Sequence, residues 1–294
     1  MPPHGVYAAV LVPRGSNGEL DERGFRKTLE FLVAHKTPRV VVNGATGEYP
    51  LTSPLDLGRM LTICRETLTD GEVLCGIGSA ALPGCLESGY IALDRGASAL
   101  LLPMPHFFPY SQDDLQVFCA AVAGSLDAPV LLYNLPKFTT PLELETVECL
   151  IASVPNIIGI KDSSGSLSIL RSLKGEDVCR IVGDDSVLVD AVRERVCDGV
   201  ISGVAGVLPE LIAFLYHERD SRDYQKASSL LRELIGRLSV FPVPWGLKLI
   251  AECRGVTHAR FLQPLSRART AQAADFRAWF TGWWPEAEQV VRSS

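Results

Sequence analysis

Apolar residues in this chain follow two rhythms. Short unbroken runs rich in Val, Ile and Leu occupy 6–12, 39–43, 73–77, 97–102, 129–134, 157–161, 179–182 and 199–202. Most do not alternate with polar residues, which suits parallel strands buried on both faces. Between them the apolar positions recur every three or four residues, the spacing of one helix face. Asp21 caps the first such stretch, with Phe25, Leu29, Leu32 and Val33 on one side and Pro38 beyond its end. Similar patterns predict helices at 54–68, 86–95, 113–125, 141–152, 167–173, 186–196 and 209–216. Eight strands, each followed by a helix, predict an α/β protein built as a (β/α)8 barrel of about 220 residues. An open doubly wound sheet is the runner-up, but it uses fewer strands and a Gly-rich first crossover. Beyond residue 219 the pattern is wholly helical, at 224–238, 245–253 and 271–283. We read 1–220 as the barrel carrying the active site and 221–294 as a C-terminal helical extension packed on it.

Composition narrows the function. With 47% hydrophobic and 21% charged residues the chain has ample core material and no signature of disorder. A net charge of −6 with scattered Lys and Arg leaves no basic patch for nucleic acid. No apolar run approaches the ~20 residues that cross a bilayer. Met1-Pro2-Pro3-His4-Gly5 lacks the basic stretch and apolar core of a secretory signal. A cytoplasmic protein is expected, without membrane or nucleic-acid partners. The eight cysteines form no CxxC pair and mostly sit inside apolar patterns, as reduced core residues do. The five histidines have no i,i+4 partner and no carboxylate cluster, so no metal site is expected.

In a barrel of this kind the active site lies at the carboxyl ends of the strands. One strand runs Ile157-Ile158-Gly159-Ile160-Lys161 and leads into Asp162-Ser163-Ser164-Gly165. A lysine at the rim of a buried sheet loses hydration, which favours the neutral amine that attacks a carbonyl to form a Schiff base. Taken singly, Lys161 also has a plain structural reading, in which it emerges from the strand end and pairs with Asp162. Tyr133 ends the preceding strand at the same rim, where a phenol can move protons beside an imine. The glycines at 44 and 47 allow backbone N–H groups to turn inward and hold a carboxylate. Gly183-Asp184-Asp185-Ser186 and 199–206 occupy the positions of a phosphate or flavin cradle, but the paired carboxylates would repel a phosphate.

Gly44-Ala45-Thr46-Gly47-Glu48, Tyr133-Asn134-Leu135-Pro136, Gly159-Ile160-Lys161-Asp162-Ser163-Ser164-Gly165 and Gly199-Val200-Ile201-Ser202-Gly203 occur in this order. Together with Phe241-Pro242-Val243-Pro244 before a late helix, they resemble the signatures of the dihydrodipicolinate synthase/N-acetylneuraminate lyase family over essentially the whole chain. The resemblance implies a (β/α)8 barrel with a C-terminal helical extension, commonly assembled as a homotetramer or dimer. It also implies a class I pyruvate-dependent aldolase that uses no cofactor beyond a covalent imine. On this basis Lys161 is the imine-forming nucleophile and Tyr133 moves protons. Ala45 and Thr46 bind the 2-oxo acid carboxylate, and Ile201 turns its main-chain carbonyl toward the lysine.

Three departures bear on substrate. The family turn carries a hydroxyl residue where Ala45 stands, and a tyrosine lent across a subunit interface aligns with Phe107. Neither Ala nor Phe can hand on a proton. An arginine two residues after the proline of the Tyr-Asn-x-Pro motif is replaced by Phe138, which removes a charge-assisted contact of roughly 1.5–3 kcal/mol. The expected activity is therefore a Schiff-base carbon–carbon lyase acting on pyruvate, or another 2-oxo acid, with an aldehyde acceptor. True dihydrodipicolinate synthase activity is not expected. The rim is more apolar through Phe107, Phe108 and Phe138, with His106 placed to donate to a hydroxyl. The alternatives are a 2-keto-3-deoxy sugar-acid aldolase or dehydratase, or a 2-oxo acid binding paralogue without turnover.

Overall fold

The structure is a computed structural model that describes residues 2–292. Eight parallel strands close on themselves in sequence order: β1 (Gly5–Ala9), β2 (Val40–Val42), β3 (Val73–Gly76), β4 (Ala99–Pro103), β5 (Val130–Asn134), β6 (Ile157–Asp162), β7 (Cys179–Val182) and β8 (Gly199–Ser202). Closure runs through β1 and β8, with Gly5 opposite Gly199 and Ala8 opposite Ser202. The helices between them are α1 (Glu22–Ala34), α2 (Pro54–Thr67), α3 (Leu82–Asp94), α4 (Gln112–Ser125), α5 (Leu144–Ser153), α6 (Ser168–Ser172), α7 (Leu188–Glu194) and α8 (Pro209–His217). This is the (β/α)8 barrel that the two rhythms predict. Three further helices follow, α9 (Tyr224–Leu238), α10 (Trp245–Cys253) and α11 (Arg267–Arg292). Among the described residues no helix is long and apolar enough to cross a membrane.

The helix starts follow from local chemistry. The Asp21 carboxylate accepts from the Gly24 amide at 2.9 Å, Ser53 caps α2 with Pro54 just inside, and Ser111 with Asp114 closes a capping box on α4. The strands divide their side chains by parity. Outward residues pack under the helices, whereas Tyr7, Val41, Leu74, Leu101, Leu131, Tyr133, Ile181 and Ile201 fill the lumen. Lys161 has the same parity as Tyr133, its register partner on β5, and Ile181, its partner on β7. It is therefore the cation delivered to the carboxyl end of an otherwise apolar lumen.

Several boundaries differ from the sequence reading, and three of them have a clear local reason. β1 ends at Ala9 although Val10–Val12 remain fully enclosed, because the apolar run reports burial and the ladder stops before Pro13. Helix α3 begins at Leu82, with Pro83 in its first turn, where no amide is required. Helix α11 runs past Trp283 and through Pro285 to Arg292, held by the buried ridge of Phe276, Phe280, Trp283 and Ala287.

Candidate active site

Lys161 is 3% exposed, and its Nζ stands 3.9 Å from the centroid of the Tyr133 ring. Burial pushes the ammonium down from its ordinary range to about 7, and the negative charge of Asp185 resists part of that fall. Near neutral pH a substantial fraction of Lys161 is thus the free amine. Room for this side chain depends on Gly183. A Cβ there would fall 2.7 Å from Lys161 Cε and 2.1 Å from Ser163 Oγ. Tyr133 is 3% exposed, and burial raises its phenol above the ordinary range while the neighbouring Ser163 hydroxyl draws it partly back. A phenol kept protonated in this way can donate to an oxygen that gains negative charge.

The lysine does not pair with Asp162. That carboxylate turns away from it, with Oδ1 accepting from Asn134 Nδ2 and from the Ser164 amide, each at 3.0 Å. Asn134 Oδ1 in turn accepts from the Leu142 amide at 3.0 Å. The Tyr-Asn-x-Pro and Lys-Asp-Ser-Ser motifs are thus tied to each other beneath the site. Asp162 Oδ2, Ser163 Oγ and Asp185 Oδ1 are buried without a hydrogen-bond partner. Such atoms cost about 1–3 kcal/mol each when nothing meets them, and they mark where a substrate's hydroxyl or a water is wanted.

Asp185 is the residue that sequence reasoning missed. Burial raises its carboxyl to about 6, against the pull of the Ser202 hydroxyl and the Val204 amide, which lies 3.3 Å from Oδ2. The available signal was its place just past the end of β7, at the carboxyl rim where a barrel gathers its site residues.

The turn after β2 is held by the Glu48 amide on Ala45 O at 3.0 Å and the Tyr49 amide on Gly44 O at 3.2 Å. Among the described residues the Ala45 and Thr46 amides have no main-chain acceptor, so they are available to a ligand. Asn43 opens the turn with φ 59°, a left-handed conformation that asparagine tolerates, and its Nδ2 donates to Gly76 O at 2.7 Å. Thr46 meets β8 across Gly203, where a Cβ would stand 3.0 Å from Thr46 Oγ1. Ile201, 1% exposed, belongs to the same lumen cluster as Tyr133.

The outer rim is another matter. Phe107 and Phe108 pack edge to face at 4.8 Å but are 84% and 59% exposed, and Phe138 is 49% exposed. The His106 ring lies edge to face with that of Tyr49 at 5.8 Å, and its Nδ1 is buried without a partner. A cation does stand beside Phe138, one residue earlier, where Lys137 Nζ reaches Asp184 Oδ2 at 3.3 Å. Among the described residues no group of three or more His, Cys, Asp or Glu side chains is placed to hold a metal ion.

These features have relatives. A sequence model of the dihydrodipicolinate synthetase family matches residues 2–281. The 4-hydroxy-tetrahydrodipicolinate synthase of Sorangium cellulosum is 30% identical over 284 residues, which are 92% of this chain and 93% of the relative. That of Bartonella bacilliformis is 29% identical over 252 residues, 83% and 85% of the two chains. In fold, the dihydrodipicolinate synthase of Aquifex aeolicus superposes with a TM-score of 0.87 at 24% identity, covering 96% of this chain and 98% of that one. The N-acetylneuraminate lyase of Mycoplasma synoviae does so with 0.81 at 20% identity, over 95% and 97%. The chain belongs to the dihydrodipicolinate synthetase family of aldolase-type lyases.

Proposed function

We propose that this protein cleaves or forms a carbon–carbon bond through an imine between Lys161 and a 2-oxo acid, pyruvate being the simplest. The observation that carries the proposal is the enclosed Lys161 at the carboxyl end of the lumen, with its Nζ against the Tyr133 ring. The lone pair of Nζ attacks the carbonyl carbon, and the carbinolamine loses water to give a protonated imine. In the cleavage direction Tyr133 first gives its proton to the carbinolamine oxygen, which leaves as water, and the resulting phenolate accepts the proton of the C4 hydroxyl as the C3–C4 bond breaks. The bonding pair moves into the iminium to form an enamine, and the aldehyde departs. Protonation at C3 and hydrolysis then release the 2-oxo acid and restore the lysine. The substrate carboxylate is held by the Ala45 and Thr46 amides. No cofactor is needed, because the imine itself is the electron sink.

Ala45, Phe107 and Phe138 argue against dihydrodipicolinate synthesis, since none can relay a proton or clamp a second carboxylate. The partnerless oxygens of Ser163 and Asp185 favour a hydroxylated partner, so a 2-keto-3-deoxy sugar acid is the second reading, by aldol cleavage or dehydration. Incubation with 4-hydroxy-2-oxo acids of increasing hydroxylation, with pyruvate release followed, tests the function. Release that is abolished by Lys161→Ala is expected. Imine formation without release from any of them would leave a binding protein in place of an enzyme.

A further inference from the structure

We infer that the C-terminal segment completes the 2-oxo acid pocket, with Lys248 on α10 acting through Glu48 as a positioning pair for the carboxylate-binding turn. The inference rests on the proposed function, since it concerns how the same pocket is held.

Glu48 closes the turn that presents the Ala45 and Thr46 amides. Its backbone is left-handed, at φ 55° and ψ 46°, a conformation that glutamate adopts only when its surroundings impose it. What imposes it comes from 200 residues away. Lys248 Nζ lies 2.6 Å from Glu48 Oε2, and the two side chains are 5% and 8% exposed. The lysine also donates to the Arg260 carbonyl at 3.1 Å, which fixes it from the opposite side. A buried carboxylate and ammonium at this distance are charge-assisted partners with no water to replace either of them. Removing one leaves the other charge enclosed and uncompensated, so neither can be lost without the local backbone moving.

The neighbouring residue of α10 takes part in the same contact. A Cβ on Gly203, at the end of β8, would stand 2.9 Å from Leu247 Cδ1 and 3.0 Å from Thr46 Oγ1. Helix α10 and the β2 turn therefore meet over the bare backbone of Gly203. Leu247 sets the height of Thr46 by packing, and Lys248 sets the turn's dihedrals through Glu48. Neither touches the reacting atoms. Their effect should fall on how well the 2-oxo acid is held and not on the intrinsic reactivity of Lys161.

The readout is borohydride trapping of pyruvate on Lys161 in the full-length protein, measured against pyruvate concentration. Lys248→Met should raise the half-saturating pyruvate by about ten- to a hundredfold, as small misplacements of a binding group do. The adduct yield at saturating pyruvate should stay near that of the wild type. Glu48→Gln, which keeps volume and one acceptor, should shift it in the same direction and carries the test if Lys248→Met does not fold. Glu48→Gln/Lys248→Gln, an uncharged pair of similar shape, should recover part of the loss. A lowered melting temperature with half-saturation unchanged within twofold in both single variants would overturn the inference and leave the imine intact. Absence of any adduct in the wild type overturns the proposed function, and this inference with it.

Discussion

The two ends of the barrel differ in how their buried polar groups are met. At the amino-terminal ends of the strands a cavity of about 990 Å³ is lined by Glu72, Ser98, Ile158, Cys179, Arg180 and Asp198, among others. Its polar groups are occupied with each other. Arg180 forks onto Asp198 at 2.7 and 3.1 Å, Tyr7 donates to Glu72, and Cys179 Sγ bonds Pro3 O at 3.1 Å. At the carboxyl ends Lys161 and Ser163 leave no room for a Cβ on Gly183, and Ser163 Oγ and Asp185 Oδ1 are buried without a partner. What separates the two ends is the state of their buried polar atoms. Polar groups that meet one another complete a structure, whereas the buried, partnerless oxygens beside Lys161 can engage a ligand.

The comparison can be broken at its most crowded point. Gly183→Val adds bulk where a single Cβ already meets Lys161 and Ser163, so it should abolish pyruvate trapping while circular dichroism still reports a folded barrel. Tyr133→Phe should cost about a hundred- to ten-thousandfold in turnover, read as pyruvate release, because the general acid–base group is gone. Trapping at high pyruvate should survive it.

The pH dependence sharpens the contrast further. Since the attacking species is the free amine, the initial trapping rate should fall about tenfold per unit below a midpoint near 7 and level off above it. Asp185 holds the lysine's proton affinity up, so Asp185→Asn should move that midpoint to lower pH. A profile still rising at pH 9 would mean an ordinary, hydrated lysine. Stability should respond with a definite sign. The folded lysine titrates near 7 and the unfolded one near 10.5, so between those values the unfolded state binds more protons and stability should rise with pH. Lys161→Met removes the desolvation cost and should raise the melting temperature at pH 7 by a few degrees while eliminating activity, the trade expected where function sits on a strained group. At the other end of the barrel the effect should be smallest. Arg180→Gln should leave trapping kinetics within twofold of wild type and lower stability by about 1 kcal/mol or less.

Much of this was legible in the order of residues, and what was hidden is instructive. Strand and helix alternation, the lysine at the end of an apolar run and the tyrosine one strand earlier are local patterns. Their convergence on one rim follows once the barrel is assumed. Asp185 was harder, because Asp184-Asp185 read only as a pair that repels phosphate, and it is the turn after β7, with the Val204 amide on Asp185 Oδ2, that sends one carboxylate inward. The plain partner for Lys161 was Asp162, its sequence neighbour, yet consecutive strand residues face opposite ways and Asp162 is spent on Asn134. Lys137 and the Glu48–Lys248 pair were out of reach. Each is a contact between distant elements, set by the close approach of loops that carries no periodic trace in the chain.

The proposed covalent chemistry falls on a single residue at the carboxyl end of the barrel. The direct measurement is borohydride reduction in the presence of pyruvate, followed by peptide mass spectrometry of the wild type and of Lys161→Ala. The account predicts one pyruvate-derived increment, on the peptide containing Lys161, and none in the variant. An unmodified Lys161, or equal labelling of the variant at another lysine, would contradict it.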